Sequence, residues 1–150
     1  MTASPAAVCA MLCAGLLLQA GLWLGVWKYL AIRRSPDACA PEYVSIAHRA
    51  ALMYAFACTV LAGLVQHTAL PDAWAQAGVL AMAGSFVLAV ASYVLHGALR
   101  DTDNQFRKPH RVGRMTVHSA LVDAVMAAKA VVEVVASVAL LGGFVAAHVG

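Results

Sequence analysis

Three histidines stand at the edges of apolar stretches in this sequence: His48 in "EYVSIAHRAALMY", His96 in "ASYVLHGAL" and His118 in "RMTVHSALV". Imidazole is the commonest nitrogen ligand of metals and an axial ligand of haem iron, and it exchanges protons near neutral pH. Helices two and four should start, and helix three end, at the same face of the bundle, so the three are expected at a similar depth as a candidate ligand set, with His110 in the loop beside them. The competing reading is that they are solvated, or bonded to loop carbonyls. Ser85, Ala89, Ser92 and His96 recur at steps of four, three and four, which is one face of a helix, with Tyr93 beside it. Such a stripe can line a cavity, although serines in membrane helices also bond back to their own backbone. Asp123, Lys129 and Glu133 supply the remaining chemistry. Lys129 and Glu133 are four residues apart and so neighbours on a helix surface. A lone charge near the middle of a membrane span costs about 2.5–3.5 kcal/mol, so the two are expected to neutralise one another. A proton relay and an internal structural pair are both open for them.

The elements that must position these groups are membrane helices. Of the 150 residues, 63% are hydrophobic and 11% charged, whereas about a quarter of an average soluble domain is charged. Apolar segments at 6–30, 48–65, 74–99 and 120–149 are long enough to cross a hydrocarbon core, and helices satisfy their own backbone groups there. The expected fold is all-α, an integral-membrane four-helix bundle forming a single domain over 1–150. Lys28, Arg33, Arg34 and Arg49 flank the first loop, and Arg100, Arg107, Lys108, Arg111 and Arg114 fill the third. Basic residues near span ends stay in the cytoplasm, which predicts both termini on the non-cytoplasmic side. The net charge of +3 is then a topogenic signal and no sign of a nucleic-acid partner.

The first segment lacks a basic leader and is too long for an ordinary signal peptide, so it is expected to remain as helix one. Cys9, Cys13, Cys39 and Cys58 have no CxxC spacing and suggest neither a disulfide framework nor a zinc ribbon. Gly21 and Gly25 make a GxxxG step that serves either packing within one bundle or a homo-oligomer interface. Trp23, Trp27, Tyr29 and Tyr43 fit an interfacial belt.

A histidine opening helix two in "AHRAALMYA", a tyrosine late in helix three in "ASYVL" and the loop tripeptide Asn104-Gln105-Phe106 together resemble the styrene oxide isomerase family, with hydroxylaminobenzene mutase as a more distant relative. The resemblance covers helices two and three and the following loop. It implies a trimer of four-helix protomers in a bacterial-type inner membrane, with haem b between neighbours. His48 would be the axial ligand, Arg49 a partner for a propionate, and Tyr93 a wall of the substrate pocket. His96 and His118 are the other candidate cofactor ligands. The implied chemistry is Lewis-acid isomerisation, in which ferric iron takes the oxygen of an aromatic epoxide and a hydride shift follows without net redox change. Two positions depart from the family. Tyr54 stands where the family has asparagine six residues after the ligand, and Ser85 stands where it has a carboxylate; both fall on pocket positions.

Three functions follow as expectations. The first is a haem b isomerase or mutase acting on a small apolar substrate from the bilayer, with Tyr93, Tyr54 and Ser85 at its catalytic site. The second is a b-type cytochrome or quinone-linked carrier, using two of His48, His96 and His118. The third is a small transporter or subunit built on Asp123, Lys129 and Glu133.

Overall fold

The computed structural model describes residues 4–149, which form four helices and one short hairpin. Helix α1 is Pro5–Arg34, α2 Glu42–Gln66, α3 Asp72–Leu99 and α4 Ser119–Val149. Each is long and apolar enough to cross a membrane, which makes the chain a candidate multi-pass membrane protein.

The helix starts follow local chemistry. Ser4 caps α1 by accepting the Ala7 N–H at 3.2 Å, and Pro5 takes the first turn, where a missing N–H costs nothing. Pro41 and Pro71 stand immediately before α2 and α3. Hydropathy placed the second span at 48–65, but α2 begins at Glu42, because its first turns are helical before they are apolar. Helix α1 likewise runs on through its basic end to Arg34. At the far end of α3, Arg100 turns left-handed (φ 50°) and returns its N–H to the His96 carbonyl at 2.8 Å.

Lipid tails give helices no hydrophobic reason to associate, so close packing through small residues must hold them. The α1–α2 seam is built in this way. Ala10, Ala47 and Ala51 are wholly buried, and a Cβ on Gly21 would lie 2.9 Å from Leu52 Cγ. The GxxxG step therefore packs α1 on α2 within one chain. Gly97 of α3 meets Val44 of α2 in the same manner. Helix α4 is attached more sparsely: only Leu140 and Gly143 are buried on it, Leu140 facing Gly78 of α3. The Gly143 carbonyl also accepts the Ala69 N–H at 2.9 Å.

Between α3 and α4 the chain forms a hairpin of β1 (Arg111–Val112) and β2 (Met115–Thr116), an element the hydropathy pattern did not announce. Gly113 holds φ 61° at the first central position of its two-residue turn, a place that favours glycine.

Candidate functional site

The polar residues gather in three places. The first surrounds His48, which faces α1: its Nδ1 lies 2.8 Å from the Gly21 carbonyl, which can only accept, so Nδ1 carries the proton. The neutral ring then keeps a bare lone pair on Nε2. A Cβ at Gly25 would come within 2.9 Å of the ring, so that glycine makes room for the imidazole. A ring nitrogen pinned by a backbone carbonyl is the usual way a ligating histidine is oriented. Arg49 points elsewhere; it is exposed and reaches Glu42 at 3.7 Å.

The second place lies inside the membrane-spanning region. Ser85 of α3 donates to Glu133 Oε1 of α4 at 2.6 Å, and Lys129 donates to the same oxygen. The lysine Nζ stands 5.9 Å from the centre of the Tyr54 ring, which stacks on Phe86 at 4.4 Å with an interplanar angle of 6°. Tyr93 stacks on Tyr43 at 6.0 Å. Tyr54, Ser85, Lys129 and Glu133 thus meet as one group contributed by three helices. The stripe on α3 does look inward, for Ser85, Ala89 and His96 are buried and Ser92 is half-buried. Asp123 is exposed and takes no part in this group.

The third place is the end of the bundle where α3 closes. His96 is 6% exposed, donates from Nδ1 to Asp101 Oδ1 at 2.8 Å, and leans on Tyr43 at 5.1 Å. Asp101 also accepts the Gly113 N–H, so the hairpin turn is fastened to the carboxylate that orients His96. Burial alone would push the Asp101 carboxyl up. The Gly113 N–H and the His96 ring outweigh it and hold the group below the ordinary carboxylate range. In the tripeptide, the Asn104 side chain accepts the Phe106 N–H at 2.9 Å, and Gln105 gives its N–H to the Tyr43 hydroxyl at 2.6 Å. The Gln105 carbonyl accepts from His110 Nδ1 at 2.9 Å. This loop frames a polar cavity of about 500 Å³ lined by Tyr43, His96, Asp101 and Arg107, among others.

Position alone assigned Tyr43 to an interfacial belt, yet it is 5% exposed and joins His96, Tyr93 and the loop. No local signal distinguished it, because its partners are fifty or more residues away. His118 is exposed at the start of α4, where its Nδ1 accepts the Ala120 N–H. The three histidines therefore sit in separate surroundings. Among the described residues no three His, Cys, Asp or Glu side chains converge on a metal position. Haem requires no such cluster, since one protein nitrogen suffices to hold its iron. No protein-family model, curated protein or solved structure matches the chain.

Proposed function

We propose that this chain is an integral-membrane haem b isomerase or mutase of the styrene oxide isomerase type, acting on a small, apolar, aromatic epoxide-like compound taken from the bilayer. The observation that carries the reading is the bond between His48 Nδ1 and the Gly21 carbonyl, which fixes the ring and leaves Nε2 free to ligate. A donor set of one neutral imidazole fits a haem held on one face. His48 would hold the group, and the bound ferric iron would supply a Lewis acid for an epoxide oxygen.

The chain's own contribution is position and polarity. Tyr54 stacks on the buried Phe86, which fixes the plane of its ring beside Lys129 and Glu133. The carboxylate that the resemblance expects in the first half of helix three has a counterpart on α4, where Glu133 is held at Ser85. That pairing gives the Ser85 and Tyr54 departures a common rationale, a pocket reorganised around Lys129 and Glu133. A trimer with haem between protomers belongs to the same proposal.

The test is an absorption spectrum of the detergent-purified protein expressed with ample haem, oxidised and dithionite-reduced, with and without imidazole. A Soret band that shifts on adding imidazole and disappears in His48→Ala supports the proposal. A low-spin spectrum unmoved by imidazole favours a cytochrome. Haem-free protein rejects the proposal, and solute or proton transport lost in Glu133→Gln would then assign the α4 charges to a pathway.

A further inference from the structure

A second, smaller cavity of about 220 Å³ lies between α3, α4 and the hairpin loop, and no residue of α1 or α2 lines it. Its polar wall is Ser92, His96, Gln105, His110 and Arg111, and its apolar wall includes Val117, Val122 and Met126. His96 and Arg111 line both this cavity and the larger polar one outside it, so the two adjoin. An apolar cavity of about 150 Å³ admits benzene, so this one has room for a single substituted ring.

His110 is the unusual member. It is 5% exposed, its Nδ1 donates to the Gln105 carbonyl, and its Nε2 is buried with no partner in the protein. With the proton on Nδ1, Nε2 of the neutral ring is an acceptor. Buried acceptors without a donor are rare in folded proteins, and each one calls for a reason. We infer that this cavity is a binding site for a small neutral molecule of phenol size, its hydroxyl donating to His110 Nε2 and its apolar body lying on Val117, Val122 and Met126. The site is independent of His48 and of any haem.

The test uses detergent-purified full-length protein labelled with ¹⁵N-histidine, titrated with phenol and with anisole, which has a similar body but no hydroxyl hydrogen. Phenol should move the His110 Nε2 resonance upfield and saturate. Anisole should bind at least about tenfold more weakly, the scale of an acceptor left without a donor. His110→Leu should abolish that preference, and Val122→Phe, which fills the cavity, should weaken phenol by about tenfold while the His110 Nδ1 resonance stays in place. Equal binding of phenol and anisole to the wild type overturns the proposal. So does phenol binding that is not saturable, or that Val122→Phe leaves unchanged; that variant carries the test if His110→Leu fails to fold.

Discussion

Separating Lys129 from Glu133 should cost more than either side chain contributes alone. Glu133 stands fourteen residues beyond Ser119, about 21 Å along the axis of α4, which places it near the middle of that helix. Glu133→Gln leaves an ammonium there without its carboxylate, and Lys129→Met leaves a carboxylate held only by the Ser85 hydroxyl. An unpaired charge at such a depth costs about 2.5–3.5 kcal/mol on insertion scales. Snorkelling and neutralisation recover part of this, so each single substitution should lower stability by about 2 kcal/mol. The double variant Lys129→Met/Glu133→Gln removes both charges and should fall well short of the sum, giving a coupling of about 2 kcal/mol. Ser85→Ala should cost less, about 0.6 kcal/mol and at most about 1.7 kcal/mol, the range for hydrogen bonds between membrane helices. The assay is reversible unfolding in bicelles over a graded SDS fraction, followed by circular dichroism. Additive single effects would refute the reasoning, since they would mean that the two charges are not a unit.

Three further outcomes follow from the geometry. Gly25→Ala places a Cβ within 2.9 Å of the His48 ring and should displace it from the Gly21 carbonyl, reducing haem retention at near-normal helix content; full retention would separate the ring's position from ligation. Asp101 has a folded pKa below its unfolded value, so its contribution is present above about pH 3.9 and is lost as pH falls through the folded pKa. Asp101→Asn should therefore be less stable than wild type at neutral pH and should lack this acid-side loss, as melting curves followed from neutral pH to well below about pH 3.9 will show. Gly143→Ala should cost about 1–3 kcal/mol in thermal unfolding, because its Cβ would collide with Thr68 and Leu70 at the link between α4 and the α2–α3 loop.

The four spans were legible because twenty-residue apolar runs have few alternative folds, and the inward face of α3 was legible from its period. Pairings between helices were not. The spacing of Ser85 and His96 places both on one face of α3, but the partners Glu133 and Asp101 depend on helix register and loop path, which hydropathy does not encode. Tyr43 was misassigned for a related reason: a tyrosine at a span end looks alike in sequence whether it faces headgroups or, as here, carries a loop on its hydroxyl. His48 was singled out as a ligand, and its backbone partner on α1 emerged only from the close approach at Gly21 and Gly25.

The sparse attachment of α4 bears on how the molecule is assembled. Helices α1 and α2 close on each other along a continuous small-residue seam, so that hairpin can form as soon as both are in the bilayer. Helix α4 arrives last and fastens at a few points, Glu133 on Ser85, Leu140 on Gly78 and Gly143 on Ala69. A helix joined in this way is a separable part. Cut in the hairpin loop and co-expressed as two pieces, the chain should reassemble in the membrane, with the half-buried ion pair on Ser85 serving as the key that seats the fourth helix in register.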